Sequence, residues 1–251
     1  MPSIEIENIN IHYTKSGSGL PFILLHGTFL DSSAYKELIE ILSNYYEIYA
    51  IDMPMHGKSD KPKKYLTIPE FSDLLKKFVV KMNIQKPVIC AHSGGSLVAI
   101  DYVLKNQIKE LVLIEPAGLR LSKSLFTLML NIMIIKPIFA LFWSPIRAIN
   151  LIRSGLYNII RNAFNENYWN LINENLEKDY SEEMKKISCP TKLLWAKYDE
   201  LIPYKNSSLF QKNIKNSKVI SINGSHDWPV LKPKEIMKYI NDSVSSSPTQ
   251  K

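Results

Sequence analysis

What most constrains this chain is a series of short segments that are apolar at consecutive rather than alternate positions, residues 21–25 and 87–91 above all. A strand without alternation is covered on both faces, the condition of a parallel sheet held between two layers of helices. Strand-like segments at 46–51, 109–114, 191–196 and 218–222 extend the series. Helix-like stretches at 34–42, 69 to about 82, 96–106 and 232 to about 244 lie between and after them. Alternating strand and helix signals imply an α/β fold with a mostly parallel sheet. The N-terminus differs: Ile4-Glu5-Ile6-Glu7 and Ile9-Asn10-Ile11-His12-Tyr13 alternate apolar and polar residues. That pattern predicts an antiparallel hairpin with one wet face, ended by Gly17-Ser18-Gly19.

The alternation stops between Glu115 and about residue 187, where only helix-like segments occur. An insertion of about 70 residues is too long for a plain crossover. Residues 116–187 are therefore expected to form a helical cap on a core of residues 1–115 and 188–244, followed by a polar, disordered tail at 245–251. Within the cap, residues 125–143 leave the apolar set only at Thr127, Asn131, Lys136 and Pro137. A bilayer span needs about 20 residues, so the segment approaches that length. Lys136-Pro137 interrupts it, however, and the strands that follow must bring the chain back to the sheet. Cap helices are the preferred reading, with a membrane-surface patch and a true span as alternatives.

Ala91-His92-Ser93-Gly94-Gly95 joins the strand signal at 87–91 to the helix signal at 96–106. A serine on such a turn, with a small residue two positions to either side, has the form of a nucleophile elbow; a bulky flank would clash with the sharp backbone. A serine hydroxyl is a poor nucleophile at neutral pH and needs a base that a third group orients. The chain offers His12, His26, His56, His92 and His226. A tetrahedral intermediate also needs two fixed N–H donors. The Gly94 amide follows the serine, and His26-Gly27, at the end of the strand signal at 21–25, presents the Thr28 amide.

Two further stretches carry a family resemblance. Asp52-Met53-Pro54-Met55-His56-Gly57-Lys58-Ser59 resembles Asp-x-Pro-Gly-His-Gly-x-Ser with Met55 for glycine, and Ala196-Lys197-Tyr198-Asp199 resembles Gly-x-x-Asp with alanine first. Over nearly its whole length the chain resembles a serine hydrolase of the α/β-hydrolase superfamily. The resemblance implies the α/β-hydrolase fold: a mostly parallel sheet, an N-terminal antiparallel hairpin and a helical cap. It implies a base C-terminal to Ser93, which only His226 satisfies, and an acid at a strand end between them. Asp199 is preferred for that acid and Glu115 is its rival; Glu200 is expected to point elsewhere if Asp199 faces the histidine. Asp52 and His56 are read as structural loop residues. The implied reaction is carboxylic-ester hydrolysis through an acyl-enzyme, with Gly94 and Thr28 as the oxyanion hole and no cofactor or metal. Thioester hydrolysis or a lyase reaction on the same residues, and a slow receptor-like binder, are the alternatives.

For the substrate, the expected lining is Phe29, His92, Leu125, Met129, Met133, Phe139 and Trp228, a Met- and Leu-rich pocket able to adapt to an acyl chain. From Pro116 to Asn165 the chain carries Arg120, Lys123, Lys136, Arg147, Arg153 and Arg161 and no acidic residue. This is either a solvated basic face or an attraction for an anion, such as a lipid headgroup on an anionic membrane surface, a carboxylated acyl chain or an acyl carrier protein. The chain resembles pimeloyl-carrier methyl-ester esterases in size and order, and also monoacylglycerol lipases; the former carry arginines toward a carrier protein. A net charge of +7 without any basic run interleaved with aromatics argues against nucleic acid. Cys90 and Cys189 are expected to be free buried thiols. The residues after Met1 lack the basic and apolar regions of a signal peptide, so a cytoplasmic location is expected.

Overall fold

The computed structural model describes residues 2–121 and 125–240. Strands β1 (Ser3–Ile6) and β2 (Ile9–Ser16) form the antiparallel hairpin, turning through Glu7 and Asn8, both at positive φ. Then follow β3 (Leu20–Leu25), α1 (Lys36–Leu42), β4 (Tyr46–Ile51), α2 (Ile68–Lys81), β5 (Val88–His92), α3 (Gly95–Val103) and β6 (Glu110–Ile114). Only helices occur among the described residues before the next strand: α4 (Leu125–Leu130), a π-helical turn (Asn131–Ile135), α5 (Lys136–Trp143), α6 (Pro145–Arg161), α7 (Glu166–Glu177) and α8 (Ser181–Met184). The chain returns as β7 (Thr191–Ala196), α9 (Asn206–Asn213), β8 (Ser217–Ile222), α10 (Trp228–Leu231) and α11 (Met237–Ile240).

The sheet order is β1-β2-β4-β3-β5-β6-β7-β8. From β4 to β8 every pairing is parallel, and β2 joins β4 antiparallel. The missing alternation of the central strands has a direct cause. Ile23, Leu25, Ile89, Leu111 and Leu193 enter one hydrophobic core, while Phe22, Leu24, Val88, Val112 and Leu194 enter another on the opposite face. Each fully buried side chain of this kind contributes roughly 1.5–3 kcal/mol, so neither face of these strands tolerates polarity.

Several boundaries moved. The first turn of the helix expected at 34–42 is a 3-10 turn, Ser32–Tyr35, capped by Asp31, whose carboxylate accepts the Ser33 amide at 2.9 Å. The stretch expected as one helix from 232 is broken: α10, a 3-10 turn at Pro233–Glu235 and α11 replace it. Pro233 lacks the amide needed to continue α10. The residues expected at 241–244 and the tail at 245–251 lie outside the described residues. No helix among the described residues is long and apolar enough to cross a membrane. Cys90 is buried and Cys189 half-buried, and both are free thiols.

Candidate active site

Ser93 holds a left-handed backbone, φ 51°, between the end of β5 and the start of α3. Its amide donates to the Ile114 carbonyl at 2.9 Å, so β6 braces the turn. The demand for small flanks is steric. A Cβ on Gly95 would stand 2.5 Å from the His26 carbonyl oxygen, and Ala91 is fully buried between Leu25 and Leu113.

His226, on the loop between β8 and α10, places Nε2 3.0 Å from Ser93 Oγ and Nδ1 2.9 Å from Asp199 Oδ2. The other oxygen of Asp199 accepts the Leu201 and Ile202 amides at 2.8 and 2.7 Å, which fixes the carboxylate. The backbone of His226 is held on both sides. Its amide donates to Glu200 Oε2 at 3.1 Å, and its carbonyl accepts from His92 Nε2 at 3.0 Å. Glu200 thus anchors the histidine loop, a role its neighbour's orientation did not suggest.

His92 extends a relay from the opposite wall: the Gly27 amide donates to the Tyr35 hydroxyl, which donates to His92 Nδ1 at 2.6 Å. Burial, and after it the proximity of His226, pulls the His92 pKa down to about 3, so the ring is neutral. Its ring borders the cavity, as expected, while both nitrogens are committed to the protein, which adds a framework role.

Glu115 also ends a strand and also holds a left-handed backbone, φ 42°. Its Oε1 accepts the Ala196 amide at 2.9 Å, and Oε2 lies 3.5 Å from His92 Nε2. Burial, reinforced by the Asp199 charge, raises its pKa well above the usual carboxylate range, which leaves it neutral. Ligating atoms of His92, Glu115 and His226 lie within 4.8 Å of one another. A metal there would have to displace the hydrogen bonds that occupy both imidazoles and ionise a carboxyl that burial keeps neutral.

Gly94 opens α3, where the first amides of a helix have no partner four residues back. A Cβ on Gly94 would collide with the Thr28 hydroxyl, so glycine lets the Thr28 side chain lie against the start of α3 beside Ser93. Thr28 is fixed twice: its carbonyl accepts from His56 Nε2, and its Oγ1 accepts from Asn175 Nδ2 of α7 at 3.2 Å. Nothing in the sequence pattern marked Asn175. The loop at 52–59 supports this region as expected. Burial opposes charge on Asp52, but the His12 hydrogen bond and the amides of Ser32 and Lys58 outweigh it and hold the carboxyl at about 2. Met55 takes φ 72°, so a methionine occupies the left-handed position that glycine fills in the family's loop.

Above Ser93 lies a cavity of about 210 Å3. Phe29, Leu30, Leu201 and Ile202 line it from the core loops, and Leu128, Ile132, Leu151, Ile152, Ile159 and Leu176 from the inserted helices. Phe29 is thus where it was expected. Leu125 and Met129 are not in this wall; they pack half-buried on the main core, because Leu128, Ile132 and Lys136, one turn apart each, take the inward row. Trp228 is buried in the other core against Tyr239 and does not line the cavity. The side chains of Met133 and Phe139 lie outside the described residues, as does Lys123.

The basic residues are largely turned inward. Lys136 pairs with buried Asp227 at 2.6 Å, Arg147 forks onto Glu37 at 2.5 and 2.7 Å, and Arg161 donates to the Met55 and Ser59 carbonyls. Arg120 and Arg153 are exposed.

A parallel sheet with a strained serine at the β5–α3 turn and a late-loop histidine defines a class, and the comparisons agree. A sequence profile for the alpha/beta hydrolase fold matches residues 21–143. The chain belongs to the α/β-hydrolase superfamily. It is 23% identical to a pimeloyl-[acyl-carrier protein] methyl ester esterase of Legionella pneumophila, over 89% of this chain and 94% of that protein. An (E)-2-((N-methylformamido)methylene)succinate hydrolase of Acinetobacter baylyi is 31% identical over 36% of this chain, about a third of its own length (35%). A meta-cleavage product hydrolase of Pseudomonas fluorescens superposes with a TM-score of 0.82 at 19% identity, covering 98% of this chain and 97% of that one.

Proposed function

We propose that this chain is a serine carboxylic-ester hydrolase for esters with an apolar acyl chain, the residues at 116–187 forming a cap over the site. The observation that carries this reading is the unbroken relay Ser93–His226–Asp199 at the floor of an apolar cavity. His226 Nε2 removes the Ser93 proton as Oγ bonds to the ester carbonyl carbon. Negative charge then develops on the carbonyl oxygen, facing the Gly94 and Thr28 amides. Asp199 holds the imidazole in the tautomer that presents Nε2 and stabilises the imidazolium. His226 gives the proton to the departing alcohol, and water, activated by the same histidine, releases the acid and restores Ser93 Oγ–H. Leu128, Ile132, Leu151 and Ile159 favour an alkyl or alkenyl acyl group by apolar burial.

Fluorophosphonate labelling with a p-nitrophenyl ester series of graded chain length tests the reading. Labelling confined to Ser93, and turnover that rises with acyl length to an optimum, are expected. Labelling that survives Ser93→Ala rejects it. A carrier-linked methyl ester is the second reading, favoured by the Legionella relative. It requires carrier-linked substrates to be hydrolysed better than free methyl esters.

A further inference from the structure

We propose that the outward face of the helical hairpin formed by α4, α5 and α6 docks on a lipid bilayer surface, presenting the cavity to ester drawn from the interface. Among the described residues, every exposed large apolar side chain except Tyr45, Val80, Tyr198 and Leu209 falls between 126 and 164. They form rows. Phe126, Leu130, Ile134 and Ile138 follow one another at four-residue spacing along one side of α4, the π turn and α5. On α6, Ile146, Ile149 and Ile160 project in the same way, Ile146 being 79% and Ile160 72% exposed. The two segments pack against each other. A soluble protein rarely leaves apolar rows of this kind in water unless something covers them.

The inner rows of the same helices build the cavity: Leu128 and Ile132 from the first segment, Leu151 and Ile159 from the second. Leu156 belongs to both sides, lining the cavity while 43% exposed, so the apolar lining reaches the surface within the patch. A lipid that crosses there stays in apolar surroundings.

Charge decides between occupants. An acidic carrier protein needs uncompensated cations that project, but Lys136 and Arg161 are bound inward and Arg147 is neutralised by Glu37. What projects is mostly hydrocarbon, with Thr127, Asn150, Arg153 and Tyr157 among it, and residues 116–165 contain no acidic group to repel anionic headgroups. An apolar face with sparse cations and no anions is the profile of an element lying in the headgroup–acyl boundary. No helix among the described residues is long and apolar enough to span, so surface seating is the mode proposed.

The inference rests on the ester-hydrolase reading only for what the surface delivers; docking itself needs no catalysis. The test is flotation of the full chain with phosphatidylcholine vesicles, with and without phosphatidylglycerol. Wild type and Ser93→Ala are both expected to float, more so with phosphatidylglycerol. The double variant Ile146→Glu/Ile149→Glu is expected to lose vesicle partition by about tenfold or more. It should keep its rate on a water-soluble short-chain ester, which shows that it folds. Equal flotation of the double variant, or no flotation of wild type on either vesicle, overturns the proposal. So does light scattering that finds a dimer which the double variant converts to monomer, since a second copy then covers the face. Flotation without esterase activity upholds docking while rejecting the ester reading, so the two fail separately.

Discussion

Asp199 Oδ2 lies 2.9 Å from His226 Nδ1, while Glu115, the other strand-end acid, reaches His92 instead, at 3.5 Å. Both carboxyls are buried and close to the same loop, yet their hydrogen-bond partners differ. Asp199 has two backbone amides on its free oxygen. Glu115 has one amide on Oε1 and is pushed up by burial and by Asp199.

That contrast gives the first expected outcome. Asp199→Asn should lower kcat by about 10^4-fold, because an amide there favours the wrong imidazole tautomer. Glu115→Gln replaces a neutral carboxyl by a neutral amide of the same shape and should stay within about tenfold of wild type. Steady-state kinetics on one ester substrate checks both. The reverse order of sensitivity transfers the acid role to Glu115.

Gly94→Ala should cost about 10^2–10^3 in kcat, the size of losing one oxyanion donor. The added methyl collides with the Thr28 hydroxyl and drives the two amides apart. A Thr28→Ala/Gly94→Ala double variant removes the Oγ1 that is struck, so partial recovery of kcat is the accompanying sign. No loss in the single variant is incompatible with the geometry described.

Tyr35→Phe removes the hydroxyl that joins the Gly27 amide to His92 Nδ1 and leaves two buried polar groups unpaired. About 1–3 kcal/mol of stability should be lost per orphaned group at most. Urea unfolding measures it. An unchanged midpoint would mean that water or a rearranged His92 replaces the hydroxyl.

Acid should destabilise the fold well before its carboxylates titrate. His56 and His92 are buried, and desolvation lowers their pKa values to about 4 and about 3, from an ordinary 6.5. Below about 6.5 the unfolded chain binds protons at both positions and the folded chain does not, so stability falls as pH falls. Asp52, held at about 2 against an ordinary 3.8, adds a loss that begins near pH 4. A loss on the order of a few kcal/mol between about pH 7 and pH 4.5 is expected from urea titrations. Imidazole resonances of His56 and His92 that titrate near 6.5 in the folded protein contradict it.

Much of this protein was readable from residue order because it depends on local pattern. Unalternating strands, the hairpin alternation at 4–13 and the small residues around Ser93 state requirements that each segment meets by itself. Ser93 and Asp199 could be placed at strand ends on those grounds, and His226 on a loop just past the last strand. The sequence preferred Asp199 to Glu115 as the acid without separating their surroundings. It also sent Leu125, Met129 and Trp228 into the pocket, and dismissed Glu200.

Tertiary structure places those side chains for one reason: each position depends on which side chains converge from distant segments. Asn175 meets Thr28 across 147 positions of sequence, and Asn158 bridges Asp31 and the Gly57 amide from α6. Composition showed a basic insertion without acids, but only packing shows Lys136, Arg147 and Arg161 engaged by other residues and Ile134, Ile138, Ile146, Ile149 and Ile160 turned out. Residue order specifies periodicity, which sets the element; rotation of each element about its axis is set by everything it packs against.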